Sequence, residues 1–136
     1  MDLKLELIVL PVTDVDRAKA FYEQAGFALD VDHRAGDTFR VVQLTPPGSS
    51  CSITIGTGVT EATPGSYQGL HLVVTDIEAT RAELVERGIE VGEPYHFGET
   101  GQTPGVHPKR GDYETFASFS DPDGNGWLLQ EVGHAR

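Results

Sequence analysis

Val12-Thr13-Asp14-Val15-Asp16 and Val74-Thr75-Asp76-Ile77-Glu78 are two copies of one pattern, 62 residues apart. Each follows an apolar run, Leu3 to Val12 in the first half and Gly69 to Val74 in the second, and each opens a stretch with helical spacing. An apolar run bounded by turn residues reads as a buried strand. A Thr or Asp just ahead of apolar positions at helical spacing reads as an N-cap, because its side-chain oxygen satisfies an orphan N–H of the first turn. The first helix is predicted to run to about Gln24 and the second to about Arg87. The same offset carries Gly26 onto Gly88, and a glycine just past a helix is its usual stop. Shared strand, cap, helix length and stop favour duplication over chance.

After each helix the pattern turns to strands. In the first half these are expected near Phe27–Val31, Phe39–Leu44 and Cys51–Ile55, with Pro46-Pro47-Gly48 as a turn. In the second half they are expected at Ile89–Tyr95, Thr115–Ser120 and Trp127–Val132. The stretch from His96 to Tyr113 is polar and glycine-rich and reads as a long functional or mobile loop. Asp121-Pro122-Asp123-Gly124-Asn125-Gly126 reads as the turn before the last strand. A calcium loop is excluded there, since its Gly is misplaced and Val132 stands at position twelve. The expected fold is therefore α+β, one domain over residues 1–136, built of two tandem βαβββ modules. Module one covers about 1–58, a turn-rich linker about 59–68, and module two about 69–136.

Composition bounds the function. Ten basic residues against 21 acidic ones give a net charge of −11. Nucleic acids and anionic membranes need clustered Lys and Arg, so neither is an expected partner. The single Cys51 forms no internal disulfide. It reads as a small buried residue. No apolar run reaches the roughly 18 residues of a membrane span, and no signal-peptide pattern opens the chain. A cytoplasmic protein is expected.

Leu10-Pro11-Val12-Thr13-Asp14-Val15-Asp16-Arg17-Ala18 with Phe21-Tyr22 and Gly26-Phe27 forms one signature, and Phe119-Ser120-Asp121-Pro122-Asp123-Gly124-Asn125 with Trp127 forms a second. Together, in order and around an internal repeat, they resemble the vicinal oxygen chelate superfamily over nearly the whole chain. That group includes glyoxalase I, bleomycin-resistance proteins, extradiol dioxygenases and fosfomycin-resistance transferases. The resemblance implies sheets that curl round a cup-shaped ligand cavity, helices on the outside, and a homodimer.

The resemblance also implies where a divalent metal would be held: one His or Glu on the first and last strand of each module. Counting back seven residues from the capping Asp14 and Asp76 gives Leu7 and Gly69. The last-strand position of module one falls on Ser52 or Thr54, and the Glu of the Asp-Pro-Asp-Gly-Asn-x-Trp-Glu pattern is replaced by Leu128. None offers an imidazole or carboxylate, so no metal and no cofactor are expected.

Strand alternation then puts His71 on the face of Gly69, and Leu128 with Gln130 on one face of the last strand. His71 reads either as a core histidine bonded to a neighbour or as a ligand contact and acid/base. The expected ligand-binding set is Leu7, Val9, Ser52, Thr54, Gly69, His71, Leu128 and Gln130. Trp127 and Leu129 should face the helix layer, and Glu131 should point away from the cup. His96 and His107 are expected to be solvated. Phe39, Gln43, Tyr95, Phe97 and Tyr113 are rim candidates whose facing is open. The leading expectation is a metal-free protein that binds a small molecule, like the bleomycin-resistance branch. The alternative is a lyase, isomerase or dioxygenase-type enzyme using His71 as acid/base or a relocated metal. A third is a structural or regulatory dimer.

Overall fold

The computed structural model describes residues 1–134. The chain divides into two compact units, residues 1–67 with 121–125, and residues 68–120 with 126 onward. The Asp121–Asn125 turn thus belongs with the first unit although it joins two strands of the second.

The first unit runs β1 (Leu7–Val9), α1 (Val15–Gln24), β2 (Ala28–Ala35), β3 (Phe39–Thr45) and β4 (Ser52–Thr57). Its sheet has the order β1-β4-β3-β2, with β1 parallel to β4 and the other pairs antiparallel. Asp14 caps α1 by accepting the Arg17 N–H at 3.0 Å. The helix ends in a Schellman arrangement: Gly26, at φ 102°, donates to Glu23 C=O, and Phe27 N–H donates to Tyr22 C=O. Val15, Ala18 and Tyr22 of α1 are buried with Val42, Leu44, Ile53 and Ile55 of the sheet. Arg40 lies buried on that same side. It is bidentate to Asp32 at 2.9 and 3.0 Å and bonded to Asp16 at 2.7 Å.

The turn Asp121–Asn125 is held by its own side chains. Asp121 Oδ1 accepts the N–H groups of Asp123 and Asn125, and the Tyr22 hydroxyl donates to Asp121 Oδ2 at 2.8 Å. Asn125 Nδ2 donates to Pro11 C=O, and Asp123 accepts from Thr13. The Asp-Pro-Asp-Gly-Asn spelling of the turn is therefore accounted for by its own anchorage.

The second unit runs β5 (Leu70–Val74), α2 (Ile77–Glu86), β6 (Tyr95–Gly98), β7 (Gly101–Pro104), β8 (Thr115–Ser120) and β9 (Gly126–Glu131). Its sheet has the order β5-β9-β8-β6-β7, with β5 parallel to β9. Asp76 caps α2 through the Ala79 N–H, and Gly88 at φ 91° closes it with the same pair of C-terminal bonds as in α1. Trp127 stacks on Phe119 at 6.1 Å, and both are buried with Ala117, Leu129, Ile77 and Leu84. Trp127 thus faces the helix side, as alternation predicted.

Three expectations need correction. The first strand is only three residues long, and Leu3 and Leu5 ahead of it are exposed. Ile89–Pro94 forms no strand: Gly92 N–H reaches Ser118 C=O at 2.9 Å, but Pro94 has no N–H to continue a ladder. Arg81 instead secures the segment through Val91 and Gly92 C=O. Finally, His96–Tyr113 is not one long loop. It contains the β6–β7 hairpin, turned at Gly101 with φ 107°.

Candidate functional site

Each sheet has a face turned away from its helix. In the second sheet, cross-strand register identifies that face residue by residue. His71 lies opposite Leu128, Val73 opposite Gln130, Phe116 opposite Gln130, Ser118 opposite Leu128, and Tyr95 opposite Phe116. Burial alternates accordingly. Trp127, Leu129 and Glu131 are buried on the helix side, whereas Leu128 and Gln130 are partly open and Val73 is 61% exposed.

Aromatic rings gather on this face. Phe116 is at the centre, with Tyr95 stacked at 5.8 Å, Phe97 edge-on at 5.9 Å and His71 edge-on at 6.4 Å. Phe97 is 59% exposed, which is costly for a ring of that size unless something covers it. A flat apolar partner would gain contact area here with little rearrangement.

His71 is not a core histidine; its ring is exposed on the open face. Its Nδ1 lies 2.6 Å from Gly69 C=O. A carbonyl only accepts, so Nδ1 carries the hydrogen, and in the neutral ring Nε2 is then the acceptor. Gly69 sits just before β5 at φ 76°, where a side chain would be strained and where open space surrounds the missing Cβ. The glycine aims its carbonyl at the imidazole and leaves room beside it.

The remaining expected site residues fall on the open face of the first sheet. Leu7 pairs with Ser52 and Val9 with Thr54. Leu7 and Val9 are partly exposed, and Ser52 and Thr54 are buried. Gln43, opposite Thr54, shares the face. The two sets therefore sit on different units: Leu7, Val9, Ser52 and Thr54 on the first, and Gly69, His71, Leu128 and Gln130 on the second.

This donor set does not fit a divalent metal. The positions present aliphatic chains, two hydroxyls, an amide and one imidazole, where a hard or borderline cation needs several carboxylates or imidazoles. A second grouping, Asp76, Glu131 and His134, brings three potential ligands within 4.8 Å. There the cation is supplied by the chain itself. The Arg110 guanidinium donates to both oxygens of Glu131 at 2.7 Å, with Glu78 at 2.9 Å and Asp76 at 3.6 Å. Burial raises the Glu131 pKa, but the Arg110 hydrogen bonds, the Ile77 N–H and nearby positive charge outweigh it and hold the carboxyl below its ordinary value. Glu131 works as a second cap for α2, facing the helix as alternation predicted.

His96 and His107 differ from expectation. His96 is buried, with Nδ1 2.7 Å from Gly105 C=O, and its ring packs against His107 at 5.3 Å. His107 is also partly buried and lies 3.1 Å from Glu114. They tie the β6–β7 hairpin to the segment after it. Among the rim candidates, Gln43, Tyr95 and Phe97 are on open faces. Phe39 stands at the start of β3, and Tyr113, 63% exposed at φ 65°, lies outside the strands. Phe116 was missed, although its alternation with Ala117 and Phe119 carried the signal.

Residues 4–129 match the family model described as Glyoxalase/Bleomycin resistance protein/Dioxygenase superfamily. Among solved structures, the chain is similar to TnmS3, an antibiotic binding protein from Streptomyces sp. CB03234. They share 33% identity, with 96% of this chain and 97% of that chain covered, at a TM-score of 0.73. A glyoxalase/bleomycin resistance protein from the same Streptomyces is 34% identical, covering 94% and 100% of the two chains at a TM-score of 0.70. The uncharacterized protein YetH of Bacillus subtilis (strain 168) is 28% identical over 129 residues, 91% of this chain and 94% of that protein.

Proposed function

Because the chain belongs to the Glyoxalase/Bleomycin resistance protein/Dioxygenase superfamily, we propose that it is a binding member that takes up a small, largely aromatic molecule without a metal. The observation that carries this reading is the open face of the second sheet. There, partly exposed Tyr95 and Phe116 and exposed Phe97 form an aromatic cluster, with His71 at the edge of Phe116 and its Nδ1 held by the Gly69 carbonyl. Sites of this kind combine apolar area with a few polar groups that fix orientation. His71 is the proposed anchor, with Gly69, Leu128 and Gln130 beside it. Leu7, Val9, Ser52 and Thr54 are proposed as contacts on the first sheet. The description of the Streptomyces neighbour as an antibiotic binding protein supports a small-molecule ligand. Among the described residues no helix is long and apolar enough to cross a membrane. We further propose a homodimer and, from the acidic composition, a cytoplasmic location.

One observation favours a second reading, an enzyme of the lyase, isomerase or dioxygenase-like type. A histidine held by a backbone carbonyl at Nδ1, with Nε2 left as the acceptor, is set up for proton transfer. The two readings separate on turnover. The binding reading also predicts that chelator-treated protein, shown metal-free by elemental analysis, binds a hit from an aromatic-compound thermal-shift screen as tightly as untreated protein. Loss of binding on chelation, restored by one equivalent of metal, would overturn it.

A further inference from the structure

The open face of the first sheet carries a hydrogen-bond chain whose polarity can be read from its ends. Asp30, at the irregularity in the β2–β3 pairing, accepts from the Thr45 hydroxyl. Thr45 Oγ1 lies 2.6 Å from Ser52 Oγ, and Gln43 Nε2 donates to Ser52 Oγ at 3.4 Å. A carboxylate only accepts, so the Thr45 hydrogen points to Asp30. The Thr45–Ser52 bond must then be donated by Ser52, and Ser52 in turn accepts from Gln43. Every hydrogen runs one way, from Gln43 to Asp30.

This direction decides what the face offers a ligand. Both hydroxyl hydrogens are consumed. What remains is acceptors, the second Asp30 oxygen and Gln43 Oε1, with one amide hydrogen. Asp30 has no ion pair among the described residues, and the first unit's Lys19 and three arginines pair elsewhere. Arg17 pairs with Asp123, Lys19 with Asp32, Arg34 with Asp16, and Arg40 with both Asp16 and Asp32. Leu7, Val9, Val31 and Val41 share the face by register and supply apolar surface around the acceptors.

We propose that Asp30, Thr45, Ser52 and Gln43 form a subsite for a protonated primary or secondary amine carried on an apolar stem. An ammonium presents several N–H donors and a positive charge, which matches acceptor atoms beside an unpaired carboxylate. This deepens the binding reading by naming a ligand chemistry, and it rests on that reading in taking the face as open to ligands.

The test uses dansylcadaverine, a fluorescent primary amine, and its N-acetylated form, which keeps the ring and stem but loses the charge. Fluorescence titration should show wild type binding the amine roughly tenfold more tightly than the amide. Asp30→Asn, on an exposed side chain, should fold and lose the preference, because an amide can donate to Thr45 and reverse the chain. Gln43→Leu should lower amine affinity more than amide affinity. His71→Ala, on the other unit, should leave the ratio intact. Equal affinities in wild type, a preference that survives Asp30→Asn, or no measurable binding of the amine at millimolar concentration would overturn the subsite. The proposed His71 anchor is tested separately, by its own aromatic hit: if His71→Ala leaves the affinity for that hit unchanged while Asp30→Asn abolishes the amine preference, the His71 anchor fails and the amine subsite stands.

Discussion

Gln130 and Glu131 are neighbours in β9 with opposite duties. Gln130 looks onto the open face beside Phe116, whereas Glu131 is fully buried on the helix side between Arg110 and the first turn of α2. Breaking a buried pair costs about 3–5 kcal/mol when the other charge stays behind unpaired, but Arg110 keeps Glu78 and Asp76 as partners. Glu131→Gln should therefore cost less than that, about 1–3 kcal/mol for the lost charge-assisted hydrogen bonds, and lower Tm by several degrees in a thermal melt. The pH dependence follows from sign. A carboxyl whose folded pKa lies below its ordinary value of 4.5 contributes stability fully above that value and loses it as pH falls through the folded one. Asp32 acts the same way from an ordinary 3.8, held down by hydrogen bonds from Arg40 and Lys19. Urea unfolding should therefore be nearly flat from pH 6 to 8 and weaken progressively in acid. Glu131→Gln should soften that acid limb, and an unchanged limb would mean that other carboxylates carry it.

The elements were legible to different degrees, for physical reasons that can be named. Both helices and their ends were readable because capping is local: Asp14 and Asp76 bond N–H groups three residues on, and Gly26 and Gly88 close the last turns. The facing of β9 was readable because alternation is a property of the backbone. The β6–β7 hairpin was not, since His96-Phe97-Gly98 and Gly101-Gln102-Thr103 show no apolar alternation. Nor was the burial of His96, which depends on the Gly105 carbonyl nine residues away. The aromatic face was half legible: Tyr95 and Phe97 were suspected, but only cross-strand register joins them to Phe116 and His71. Register also makes a prediction in the first sheet. A Cβ on Gly56 would lie 1.9 Å from the Arg40 carbonyl oxygen across β3–β4, while one on Gly92 would meet its nearest atoms at 3.6 Å. Gly56→Ala should destabilise by about 1–3 kcal/mol through forced separation of the strands. Gly92→Ala should be close to neutral in the same denaturation assay. Equal effects would show that the first sheet accommodates the methyl.

At the scale of the whole molecule, two units of one design carry different open faces. The first offers hydroxyls, an amide and a carboxylate; the second offers aromatic rings and an imidazole. The net charge of −11 favours neutral or cationic ligands over anions through long-range attraction. A homodimer is the expected outcome in light scattering, and a stable 14.7 kDa species at micromolar concentration would contradict it. In the proposed function, His71 anchors a small molecule on the face of the second sheet without a metal. The deciding measurement is calorimetric titration of chelator-treated wild type and His71→Ala with one aromatic hit. The predicted result is saturable binding by wild type and a loss of about 1–3 kcal/mol in a folded His71→Ala. Equal affinities for the two proteins would contradict it.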